Sequence, residues 1–276
     1  MGWVMTAAAG AAAAWGFSDF LAGVLARRTP VLTILVGSKV AAMLLALLAA
    51  VVRGVLPVWD DRLWPGIVAG LVGLPAMGLL YRAMRDGSPA VVAPVAAVAA
   101  SVPVGWGLLH GERLGVGACL GVATGLAGAT MASWPVPGGA RSRIRRSANL
   151  CALGAALGFG VYFVLLHEAG AADPFWALVL ARTTEGVAAL MLALALRRCD
   201  RTLLRAPIVA VGLSDAAADA AFVVAAAAAL TPASVVSSLY PAVTLLLSRS
   251  LLRERLHTVH LYGVLATVLA VVCLAR

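Results

Sequence analysis

Ten stretches of about 20 mostly apolar residues follow one another along this 276-residue chain, separated by short charged or Pro/Gly-rich breaks. That is the length an α-helix needs to cross the hydrocarbon core of a bilayer. The runs lie near 3–24, 31–52, 64–83, 89–109, 114–133, 148–168, 174–196, 207–228, 233–252 and 257–275. Apolar residues make up 62% of the chain and charged residues 12%, against about half and about a quarter in a soluble domain. A soluble core cannot absorb that surplus, because burial is bounded by surface-to-volume scaling. Lipid is the remaining solvent for it.

The chain also repeats itself. Gly-Glu-Arg-Leu at 111–114 returns as Arg-Glu-Arg-Leu at 253–256, an offset of 142. Gly16-Phe17 meets Gly158-Phe159, and Gly121 meets Gly263, at the same offset. Ser88-Pro-Ala90 answers Thr231-Pro-Ala233, and Lys39 answers Arg182, at 143. Five helices per half is an odd number, so the second half enters the membrane inverted, an architecture of many secondary transporters. The expected fold class is all-α integral membrane, with ten transmembrane helices in two five-helix inverted-topology repeats. The halves are 1–140 and 148–276, joined by a basic linker at 141–147.

The net charge of +9 comes from 20 Arg and one Lys against 12 acids. These arginines fall between the apolar runs, as at Arg197, Arg198, Arg201 and Arg205. That is the positive-inside pattern and a contact for anionic lipid headgroups, not a nucleic-acid surface. Four scattered cysteines, Cys119, Cys151, Cys199 and Cys273, form no disulfide framework or metal-ligand spacing. His110 and His167 sit near span ends, so no metal and no cofactor are expected. The N-terminus lacks a basic n-region and reads as a retained first helix. HExxH, GxSxG and a Walker loop are absent, which argues against an enzyme or an ATP-driven pump. The abundance of Ala, Gly and Arg points to a GC-rich bacterial genome, and hence to the inner membrane.

The segment Tyr81-Arg-Ala-Met-Arg-Asp-Gly-Ser-Pro-Ala90, an apolar helix, Gly-Glu-Arg-Leu and a Gly-rich helix ending Leu-Ala-Gly128 together resemble the EamA-type drug/metabolite transporters. The opening Ala-Trp-Gly-Phe-Ser-Asp-Phe-Leu-Ala-Gly23 is similar to the first helix of that family. The resemblance covers nearly the whole chain and implies a ten-helix carrier of small metabolites, often an exporter. Two features depart from the family pattern: two aspartates in the eighth helix, and Arg253 in place of the glycine of Gly-Glu-Arg. For orientation, 15 of the 19 loop arginines lie in odd-numbered loops; Arg53, Arg62, Arg113 and Arg276 lie on the other side. The positive-inside rule then puts both termini outside, whereas the resemblance implies both inside.

Six ionisable residues fall within spans: Asp19, Lys39, Arg182, Glu185, Asp215 and Asp219. Each costs about 2.5–3.5 kcal/mol at the bilayer centre on insertion scales, so they are expected to face the bundle interior and one another. Counting depth at about 1.5 Å per residue pairs Asp19 with Lys39, and Arg182 with Glu185 or Asp219. Four carboxylates against two cations leave an excess of two negative charges. An exchangeable proton on Asp215 or Asp219 relieves it and would couple proton movement to transport of a cationic or zwitterionic small molecule.

Pro94 and Pro103 in the fourth span, and Pro241 in the ninth, interrupt corresponding helices of the two halves. Such matched breaks mark a site or a hinge. Trp106 and Tyr240 flank them and are expected to line the path. Gly117, Gly121 and Gly125, and likewise Gly154 and Gly158, repeat every four residues, a spacing that brings helices close. The sequence thus points to a secondary carrier, with a channel or a membrane scaffold as the alternative.

Overall fold

The computed structural model describes residues 2–54, 60–87, 101–111, 116–132, 142–197, 201–237 and 239–252, with single positions at 92, 99 and between 258 and 269. Among these residues every regular element is helical. The helices are α1 (Gly2–Ala26), α2 (Val31–Arg53), α3 (Trp64–Asp86), α4 (Ser101–Leu109), α5 (Val116–Ala132), α6 (Ser142–Gly170), α7 (Pro174–Ala195), α8 (Ala206–Ala228), α9 (Leu230–Ser237) and α10 (Tyr240–Leu252). Six of them, α1, α2, α3, α6, α7 and α8, are long and apolar enough to cross a membrane. The shortest of the six has 22 residues, about 33 Å of helix at 1.5 Å per residue. Lipid leaves the backbone no external partner, so a helix satisfies its own N–H and C=O groups there.

Local chemistry sets the helix ends. Pro30 precedes α2, and Gly54 closes it in the left-handed conformation (φ +65°), its N–H reaching the Ala50 and Val51 carbonyls. Asp173 caps α7, its carboxylate accepting from the backbone N–H of Phe175 and Trp176 at 2.9 and 3.1 Å. Pro174 then occupies the first turn, where no N–H is needed. The eighth span, which carries both aspartates, forms an uninterrupted helix. α6 starts at Ser142, six residues before the expected span and inside the expected basic linker. The ninth span is not one helix, since it divides between Ser237 and Tyr240, beside Pro241. Pro94, residues 133–141 and most of the expected tenth span lie outside the described residues.

The sidedness is that of a membrane bundle. On α2, Leu44, Leu48, Val51 and Val52 point outward, while Lys39 is 1% exposed. Helices of one half pack chiefly on helices of the other: α3 on α6, α1 on α8 and α2 on α7. Glycines permit the close crossings. A Cβ at Gly212 of α8 would fall on the Ser38 carbonyl of α2, and one at Gly70 of α3 would collide with the Ala181 carbonyl of α7. These two glycines are 142 residues apart. Gly158 of α6 does the same against Ala76 of α3, where a Cβ would lie 2.7 Å away.

Candidate functional site: a charged cavity between the two halves

Each of the six intramembrane ionisable residues is at most 5% exposed, and together they line one cavity. α1 supplies Asp19, α2 supplies Lys39, α7 supplies Arg182 and Glu185, and α8 supplies Asp215 and Asp219. Arg182 and Glu185, three apart, share a face of α7; Asp215 and Asp219, four apart, share a face of α8. The α2–α7–α8 crossings bring these faces together.

Asp215 is the hub. Its Oδ2 is 2.8 Å from both Lys39 Nζ and Arg182 Nη1. Lys39 also holds Glu185 Oε1 at 3.0 Å, and Arg182 Nη1 holds Glu185 Oε2 at 2.8 Å. Arg182 Nη2 reaches Asp219 Oδ2 at 2.6 Å. Asp219 further accepts from Trp15 Nε1 at 3.0 Å and from the Tyr162 hydroxyl. One carboxylate thus ties α8 to α1, α6 and α7.

Both contacts expected of Arg182 form. The expected Asp19–Lys39 pair does not: Lys39 lies across from Glu185 and Asp215, and no ion pair among the described residues includes Asp19. Depth counting placed Asp19 and Lys39 at similar heights, but depth carries no azimuth, and the α2–α8 crossing turns Lys39 toward α8.

Much of the remaining lining is aromatic. Trp15, Phe159, Tyr162, Phe163, Phe222 and Tyr240 line the same cavity. Trp15 lies 5.3 Å from Phe163, 5.6 Å from Phe222 and 6.4 Å from Tyr240 between ring centroids. Of these six aromatics, only Tyr240 is among the path residues expected from the sequence. Helical spacing from the charges carried the missing signal: Trp15 is four before Asp19, and Phe222 is three after Asp219.

The helix break also opens here. Ser234 and Ser237 at the end of α9 and Tyr240 at the start of α10 are all lining residues, and Pro241 is buried beside them. Gly73 and Met77 of α3 face the cavity 142 residues before Asp215 and Asp219. Where the second half presents two acids, the first presents a glycine and a thioether.

Trp106, which the sequence places on the path, is not among the residues lining this cavity. It donates to Glu168 Oε1 at 2.8 Å and packs on His110 at 4.2 Å, while Pro103 is buried within α4. A Trp–Glu contact at the ends of α4 and α6 satisfies the indole N–H that a lipid or core position would leave unpaired.

Apolar spanning helices around a buried, charged and aromatic cavity define the class: an integral membrane protein with an internal polar cavity. Residues 146–276 match the EamA-like transporter family, consistent with the resemblance. A solved structure described as "Crystal structure of protein" shares the fold at a TM-score of 0.68, with 18% identity over 96% of this chain and 98% of that one. No curated protein matches the chain.

Proposed function

We propose that the chain is a secondary carrier that moves a small organic molecule outward across a bacterial inner membrane by alternating access, driven by protons. The observation that carries this reading is the cavity between the two halves, held by ion pairs that cross from α2 to α7 and α8. The helix pairings support an inverted repeat of ten helices. Exchanging α1 with α6, α2 with α7 and α3 with α8 turns the α1–α8 pair into α3–α6 and returns α2–α7 to itself. The Gly70 and Gly212 crossings exchange in the same way. A divided ninth helix with serines and a tyrosine at the break matches the discontinuous helices that form transporter sites.

Asp219 is the proposed coupling residue. Protonation removes its charge and with it the attraction to Arg182, loosening α8 from α1, α6 and α7 together. In proteoliposomes the purified protein is expected to give a saturable flux that accelerates with an imposed pH gradient. Asp219→Asn, folded by melting profile, is expected to keep exchange but lose at least tenfold of the gradient's effect. An Asp219→Asn carrier that remains fully gradient-driven would remove Asp219 from the coupling step. A non-saturating flux of the kind a channel gives would remove the carrier.

A further inference from the structure

The substrate class can be narrowed from how the charges in the cavity are matched, resting on the carrier reading above. Lys39 is held by two carboxylates and Arg182 by three. Neither cation has an unmatched charge for a carboxylate or phosphate on a substrate. Asp19 is 5% exposed, lines the cavity and belongs to none of the ion pairs among the described residues. It is the one carboxylate of the cluster that no cation there holds at ion-pair distance among the described residues. Trp15, one helical turn before Asp19 on α1, forms one face of the aromatic wall with Phe163 and Phe222. A second observation points to a ligand: the Ser234 hydroxyl, on a residue 4% exposed, has no hydrogen-bond partner among the described residues, and Ser234 lines the same cavity. A buried hydroxyl left unpaired is costly.

We infer that the cavity binds a monocationic organic amine with an apolar, ring-sized body. The ammonium donates to the Asp19 carboxylate and to Ser234 Oγ, and its body lies on the Trp15–Phe163–Phe222 wall, where ring faces attract a desolvated cation. Anions and zwitterions are excluded because their negative group would meet saturated cations and the excess negative charge of the cluster.

Three probes with one body test this: 2-phenylethylamine, 2-phenylethanol and phenylalanine, titrated against the purified full chain by thermal shift and tryptophan fluorescence. A ligand that binds the folded state raises its melting temperature by mass action. The amine is expected to bind at least tenfold more tightly than the alcohol or the amino acid. Asp19→Asn is expected to reduce that advantage below threefold while leaving the alcohol unchanged. Phe163→Leu, which keeps every charge, is expected to weaken the amine three- to tenfold, and it serves if Asp19→Asn does not fold. Equal binding of amine and alcohol, absence of amine binding, or an amine preference that survives in folded Asp19→Asn would overturn the proposal. Flux in proteoliposomes separates this from the carrier reading. Saturable transport of phenylalanine or the alcohol, with no amine preference, overturns the amine alone. Tight amine binding with no saturable flux of any probe overturns the carrier and keeps the amine site.

Discussion

Lys39 and Arg182, 143 residues apart, both converge on Asp215. A buried charge that loses its partner destabilises by about 3–5 kcal/mol, whereas a matched removal costs far less. Lys39→Met leaves Glu185 with Arg182 alone and takes one of the two cations from Asp215. It is expected to lower the melting temperature clearly. Adding Glu185→Gln, which removes the second charge of the same pair, is expected to recover at least half of the loss. A double mutant no more stable than the single would mean that Lys39 acts on Asp215 alone. The residue types were legible in the sequence, because any ionisable group in an apolar run must find an interior partner. Which partner was not. Asp215 was paired with nothing beforehand, yet it is the hub; Asp19 was paired with Lys39, and the two form no ion pair.

Between elements, close approach depends on a few glycines. Gly212 lets α8 ride on the Ser38 carbonyl one residue from Lys39, so the crossing that forms the Lys39–Asp215 pair requires a missing side chain. Gly212→Val is expected to force the two helices apart and to cost about 1–3 kcal/mol or more, as overpacking does. Gly10→Ala, on an open face of α1 with nothing within 4 Å, is expected to be neutral or to stabilise by up to about 1 kcal/mol. Melting curves of the two variants decide the comparison, and equal curves would dismiss the crossing as a constraint. Proline placement shows the same dependence on context. α3 runs through Pro75, which sits on an exposed face, while the ninth span divides beside Pro241 at the cavity. A proline removes one backbone donor wherever it stands, but surrounding helices decide whether the helix continues.

At the scale of the whole molecule, α1, α2 and α3 pack on α8, α7 and α6, and both cavity-lining acids at the 73/215 and 77/219 offsets lie on α8. Gly73 and Met77 line the cavity 142 residues before Asp215 and Asp219, so positions at that offset carry acids on α8 and none on α3. The arginine bias makes a prediction about how this frame sits in the membrane. A cysteine introduced at Arg28 is expected to resist a membrane-impermeant maleimide in intact cells. One introduced at Asp60, across α2, is expected to react. The reverse pattern would invert the topology and match the orientation that the family resemblance implied.

Composition and run length alone were enough to require membrane-spanning helices, because about 20 apolar residues in a row have only lipid as a matching solvent. They also required the six charges to turn inward, because lipid cannot solvate them. Both are one-dimensional constraints that can be read residue by residue. Which carboxylate meets which cation, which aromatic rings form the facing wall, and whether Trp106 or Trp15 touches the cavity depend on the azimuth of each helix and on where pairs cross. Those angles arise from contacts such as Gly212 on Ser38 and Gly70 on Ala181, between residues more than a hundred positions apart. Local spacing puts Trp15 and Phe222 on the same helix face as an acid, but only these contacts decide where the faces meet.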